Sequence, residues 1–182
     1  TVAAHTSLGT WPLYTFGSEE QRAEWMPRLC SGERLGAFGL TEPEAGSDAG
    51  NTRTRAELDG DTHADTREWV INGAKQFITN SGTDITRFVT VTAVTGEKDG
   101  RKEISTIMVP NGTPGFTVEP GYDKVGWHAS DTHPLTFVDA RVPEALIRFG
   151  KKNSTLPMVL TEPPIGCLKR GARGCVCGCD RS

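Results

Sequence analysis

Two periodicities divide the chain. Up to about residue 34 the apolar positions recur at helical spacing, with Ala23, Met26, Leu29 and Cys30 as the candidate inward face. Ser18-Glu-Glu-Gln21 opens this stretch as a capping box, the Ser hydroxyl accepting an orphan backbone N–H while Gln21 reaches back. Pro27 has no N–H to donate, so the helix is expected to end or bend there, with Gly32 stopping the following turn. One or two such helices cannot bury a core alone; they read as the end of a helical domain.

From Leu35 to Pro143 the period drops to two. Thr52, Thr54, Ala56 and Leu58 alternate with Asn51, Arg53, Arg55 and Glu57, and Asp59-Gly60-Asp61 closes that run. Trp69–Ile71 and Ala74–Thr79 flank Asn72-Gly73, a dipeptide that tolerates positive φ at both positions and predicts a hairpin turn. Phe88–Val94, Ile104–Val109, Phe116–Val118 and Leu135–Val138 are further strand candidates, separated by turns such as Pro110-Asn-Gly-Thr-Pro-Gly115. The pattern predicts a mainly β protein: an antiparallel barrel or sandwich preceded by a short helical segment. After Gly150, Pro157, Pro163 and Pro164 interrupt any helix, and no strand alternation replaces it.

The expected organisation is thus residues 1–34 as the end of a helical domain, 35–148 as a β-domain, and 149–182 as an aberrant or disordered tail. Charge and cysteine follow the same division. Residues 1–150 carry a net charge of −7 and residues 151–182 one of +4. An acidic body argues against nucleic acid as a partner. Cys30 stands alone in the body, whereas Cys167, Cys175, Cys177 and Cys179 crowd the end, which does not fit a secreted disulfide framework. The body therefore reads as a reduced, intracellular protein; no apolar run is long enough to span a bilayer, and no signal peptide is expected from the opening residues. Cys175-Val-Cys-Gly-Cys179 lacks the C-x-x-C spacing of structural zinc, and His5, His63, His128 and His133 show no ligand spacing, so no metal is expected.

Candidate chemistry concentrates in Leu40-Thr-Glu-Pro-Glu-Ala-Gly-Ser-Asp48. Thr41 and Ser47 offer hydroxyls, Gly46 admits close backbone approach, and Pro43 stiffens the turn. Consecutive exposed amides can form an anion-binding concavity. The plainer alternative is a tight surface loop ending in an Asx or Ser turn. Lys75-Gln-Phe-Ile-Thr-Asn80 repeats the aromatic-then-threonine theme further on.

Gly36-Ala-Phe-Gly-Leu-Thr-Glu-Pro-Glu-Ala-Gly-Ser-Asp48 resembles the first signature of acyl-CoA dehydrogenases, and Phe77-Ile-Thr-Asn80 the second strand of the same site. Asp123–Thr132, Leu135–Asp139 and Val142-Pro143 resemble the end of that family's middle β-domain. Phe16–Gln21 and Leu29–Glu33 fit the close of its N-terminal helical domain, with all blocks in order over about residues 5–148. The resemblance implies an α-β-α fold, here partial, with FAD between the β-domain and a C-terminal helical bundle. Phe38, Leu40 and Thr41 would meet the pyrimidine side of the flavin, and Thr79, next to Ile78, would bond near N5. Phe77 would stack at the flavin edge, its alternative being an inward core residue. Gly46 and Ser47 would lie near the pyrophosphate and the pantetheine of acyl-CoA. The family reaction removes an α-proton with a carboxylate while the β-hydride passes to the flavin, giving a trans-2-enoyl-CoA. An electron-transferring flavoprotein then reoxidises the cofactor of a homotetramer.

The chain departs from this pattern after Gly150, where the helical bundle that carries the catalytic carboxylate is expected and is not recognisable. Glu162 precedes Pro163 and lies in no catalytic motif, so no catalytic residue is assigned. The expectation is an incomplete, inactive form of a cytoplasmic bacterial enzyme, or one of the mitochondrial matrix. The alternatives are a non-catalytic β-module that binds a nucleotide or partner, and an acyl-CoA oxidase-type relative.

Overall fold

A computed structural model describes residues 1–60, 67–144 and 148–149. The readings made above of Asp61, His63, Glu162, the cysteine-rich end and the tail from Gly150 lie outside the described residues.

The helical part begins with α1, Val2–Ala4, and continues through a π-helical stretch, His5–Thr10, into α2, Trp11–Phe16. Helix α3, Glu19–Cys30, starts at the expected box: Ser18 Oγ accepts the Gln21 N–H at 3.2 Å and Gln21 Oε1 accepts the Ser18 N–H at 2.8 Å. Two expectations are corrected here. The helix does not end at Pro27 but runs through it to Cys30, because a proline near the last turn forfeits one intrahelical bond and the Pro27 carbonyl still accepts from Ser31. Its buried face is Trp25 and Leu29, with Met26 packed beside them, while Ala23 and Cys30 are exposed.

Eight strands form one sheet among the described residues: β1 Leu35–Gly39, β2 Arg55–Asp59, β3 Glu68–Thr79, β4 Thr86–Lys98, β5 Arg101–Pro110, β6 Phe116–Val118, β7 Thr132–Pro143 and β8 Arg148–Phe149. Their order is β6-β7-β3-β2-β4-β5-β8, with β1 pairing β4. The mainly β expectation is borne out. Most pairings are antiparallel, but β1 runs parallel to β4, so the sheet is mixed.

The apolar run Phe88–Val94 has a physical cause: β4 is covered on both faces. Phe88, with Met108 of β5, packs against Leu13, Trp25 and Leu29 of the helices. Val89, Val91 and Ala93 face the other way, into a core with Ile71, Ile107, Val109, Leu135 and Phe137. His5 pins the helical part to the sheet: its Nδ1 accepts the Gly36 N–H at 3.1 Å, which leaves Nε2–H to donate to the Leu29 carbonyl at 3.0 Å. Gly9 lies so close to Gly36 that a Cβ at Gly9 would sit 2.2 Å from the Gly36 carbonyl oxygen.

The predicted Asn72-Gly73 hairpin is absent. Strand β3 runs straight through both residues. Asn72 instead donates from Nδ2 to Asp139 Oδ1 at 3.0 Å and accepts the Asp139 N–H at 2.8 Å, securing a bulge in β7 where Asp139 has φ 49°. Gly73, at φ 147°, admits Thr54 of the segment leading into β2, whose Oγ1 lies 2.6 Å from where a Cβ would stand.

Candidate functional site

Strand β1 ends beside β3, and the two deliver their residues to one cavity. Leu40 and Thr41 follow β1 directly, and the Thr41 carbonyl accepts the Gln76 N–H at 2.9 Å. That amide is free to cross because β3 shifts register against β7 between Lys75 and Ile78. Phe77 occupies the bulge at φ 61°, and the extra residue exchanges the faces of the strand. Before it, Trp69, Ile71 and Lys75 point inward; after it, Ile78 and Asn80 do.

The result is a cavity of about 220 Å³ lined by Phe38, Leu40, Thr41, Phe77, Ile78 and Thr79 together with Ala4 and Leu8 of the helical part. Six of the eight expected site residues therefore meet. Phe77 is 58 % exposed, against its reading as an inward core residue, and its ring lies 4.9 Å from that of Tyr122. The hydroxyls of Thr41 and Thr79 have no protein partner among the described residues. Gly46 and Ser47 do not line the cavity. Both are exposed, and a Cβ at Gly46 would meet nothing within 4 Å.

A clamp behind the cavity explains why the loop holds this course. Glu42 N–H and carbonyl exchange hydrogen bonds with Ala45 at 3.0 and 3.2 Å. The Glu42 carboxylate, almost fully buried, accepts the backbone N–H groups of Arg53 at 2.6 Å and Thr54 at 3.1 Å. Lys75, 1 % exposed, donates to Glu42 Oε1 at 2.6 Å, Thr92 Oγ1 at 2.9 Å and the Leu40 carbonyl at 3.3 Å. Burial pulls the Lys75 ammonium down to about 8, with the Glu42 hydrogen bond and charge pulling against it. Burial alone would raise the Glu42 carboxyl, but bonds from Lys75, Thr54 and the Arg53 amide, together with the Lys75 charge, hold it below the usual carboxylate range.

Lys75 and Glu42 lie inside the sequence motifs without an expected role. The signal was present: Lys75 falls on the inward parity of Trp69 and Ile71, where a charge must find a partner. Ala4 and Leu8 carried no such signal, since their part in the cavity depends on the Gly9–Gly36 contact.

Known proteins match the chain over both its helical part and its sheet. The family model described as acyl-CoA dehydrogenase, middle domain, matches residues 37–140, and the one described as acyl-CoA dehydrogenase, N-terminal domain, matches residues 1–33. A probable acyl-CoA dehydrogenase of Bacillus subtilis is 51 % identical over 144 residues, covering 79 % of this chain and 36 % of that protein. The structure of butyryl-CoA dehydrogenase from Megasphaera elsdenii superposes with a TM-score of 0.74 at 38 % identity, over 83 % of this chain and 38 % of that one. An acyl-CoA dehydrogenase of Bacillus anthracis complexed with FAD gives a TM-score of 0.70 at 36 % identity, over 81 % of this chain and 24 % of that one. The chain thus spans well under half the length of these relatives.

Proposed function

Because the chain belongs to the acyl-CoA dehydrogenase family, we propose that its cavity grips one edge of an FAD ring in a protein that oxidises acyl-CoA thioesters. The observation that carries this reading is the pairing of two partnerless hydroxyls, Thr41 and Thr79, with the apolar walls of Phe38, Leu40, Phe77 and Ile78. A flat heteroaromatic ring with polar edges needs that combination of apolar surface and a few placed donors. The residues present fit the group in chemistry, and the open slot covers only part of it.

When bound, FAD supplies acceptance of a hydride from the acyl chain. The chain's own residues do the rest. Thr41 offers a hydroxyl and a backbone N–H to a ring edge on which negative charge develops, a dipole set in place before reaction. Thr79 donates from the facing strand. Ala4 and Leu8 keep water from the cavity floor, and Phe77 offers its exposed ring as a lateral wall. Gly46 and Ser47, in the exposed turn beyond the clamp, are assigned to the cofactor pyrophosphate and to the pantetheine of acyl-CoA.

Among the described residues, no titratable side chain lines the cavity. We therefore assign no base to this segment and expect the chain by itself to bind flavin weakly and to leave acyl-CoA unreacted. An electron-transferring flavoprotein as acceptor, homotetramer assembly, and a bacterial cytoplasmic or mitochondrial-matrix setting belong to the reading for the whole protein. The same lack of a base favours, as a second reading, a non-catalytic flavin- or nucleotide-binding module.

The test is a titration of the purified chain with FAD, followed by flavin fluorescence and by thermal melting. Quenching should saturate and the melt should rise. Thr41→Val/Thr79→Val should weaken binding about tenfold, the loss of one to two hydrogen bonds. Absence of both quenching and melt shift in the wild-type chain would sink the proposal. Anaerobic bleaching of bound flavin by an acyl-CoA would refute the claim that no base is supplied here.

A further inference from the structure

The peptide unit joining Leu40 to Thr41 has its carbonyl drawn inward by Lys75 Nζ at 3.3 Å. A trans peptide is planar, and its C=O and N–H point in opposite directions. Whatever holds the Leu40 carbonyl toward the core therefore turns the Thr41 N–H away from it. Thr41 lines the cavity, and its N–H has no protein acceptor among the described residues. The ammonium itself cannot swing, because Glu42 Oε1 and Thr92 Oγ1 hold it at 2.6 and 2.9 Å within a fully buried site. Glu42 is anchored in turn by the Arg53 and Thr54 amides.

We propose that Lys75 is a positioning residue for the cavity: by binding the Leu40 carbonyl it aims the Thr41 N–H outward as a donor for the ligand edge. The Gln76 N–H to Thr41 carbonyl bond, at 2.9 Å, fixes the next peptide and completes the aim. What the donor meets rests on the flavin reading; the aiming itself does not.

A buried ion pair can be merely structural, so the test separates stability from position. Lys75→Met leaves Glu42 charged and buried without its cation, and should lower stability strongly. Lys75→Met/Glu42→Gln removes the stranded charge, while the glutamine oxygen still accepts the Arg53 and Thr54 amides. Denaturant melts of the full 182-residue chain should show the double variant recovering much of the midpoint lost in the single one.

Two local readouts should not recover. Amide hydrogen exchange of the unliganded chain should be about tenfold faster at Gln76 in both variants, as expected for losing a charge-assisted bond. Val89 and Ile107, deep in β4 and β5, should stay protected in the double variant. FAD affinity should fall about tenfold in both variants as well. Wild-type exchange at Gln76 in the double variant would overturn the positioning role whatever the flavin result. Faster exchange at Gln76 in a chain whose wild type binds no FAD would uphold the positioning and overturn the flavin reading.

Discussion

Phe77 is the residue at which local cost and function meet. A phenylalanine at φ 61° stores strain of order 1–3 kcal/mol, and here its ring is more than half exposed, so burial offsets little of it. Phe77→Gly relieves the strain and gives up the ring contact with Tyr122. Chemical denaturation should therefore show a change within about 1 kcal/mol of wild type, while FAD affinity drops. A parallel loss of stability would mean that Phe77 is a core residue after all. Gly46 allows the complementary experiment. Nothing in the protein stands within 4 Å of its missing Cβ, so Gly46→Ala should leave the unliganded chain as stable or up to about 1 kcal/mol more so. If the residue admits close approach of the cofactor pyrophosphate, the same substitution weakens FAD binding, and unchanged binding removes Gly46 from the site.

At the scale of the element, β3 decides the geometry of the site through two irregularities that alternation does not predict. The first is Gly73, whose φ of 147° and contact with Thr54 leave no room for a side chain. Gly73→Ala forces overpacking and a strained φ together, so a loss of about 2–4 kcal/mol is expected in urea unfolding. A cost below about 1 kcal/mol would fit a glycine needed only for conformational freedom, as in a turn. The second is the bulge at Phe77, which hands the inward parity from Lys75 to Ile78. These two sites also show what the sequence made legible. The strands β4 and β5 were readable because buried β-branched runs between Gly and Pro turns need no long-range information, and β6 and β7 because short β-rich runs between such turns need none either. Asn72-Gly73 was misread because a bulge on a partner strand uses the same residue types as a hairpin turn: Asn to bond across, Gly to admit a neighbour. The cavity was legible as motifs, since Phe38–Thr41 and Phe77–Thr79 could be quoted from the chain. Its helical wall at Ala4 and Leu8 was not, because it depends on a contact between distant glycines.

At the scale of the molecule, the Glu42–Lys75–Thr92 clamp joins the β1 loop, β3 and β4, so its protonation is tied to global unfolding. The ordinary lysine value of 10.5 holds in the unfolded chain, whereas burial brings Lys75 to about 8 in the folded one. Below about pH 8 both states hold the proton, and the folded state carries the full cost of burying the charge. Between about 8 and 10.5 the unfolded chain binds more protons than the folded one, so the contribution of this residue to stability rises with pH, by at most about 1.4 kcal/mol per unit. Glu42 acts at the other end. Its folded value lies below the ordinary 4.5, so its contribution is present above that pH and is lost as pH falls through the folded value. Other groups titrate in the alkaline window too, and they cancel when wild type is compared with Lys75→Met. Urea unfolding of both proteins from pH 7 to 10 should show the stability difference flat up to about 8 and then moving in favour of wild type. A difference that stays flat across the whole range would mean that Lys75 keeps its proton in the folded chain, with the Glu42 contact outweighing burial.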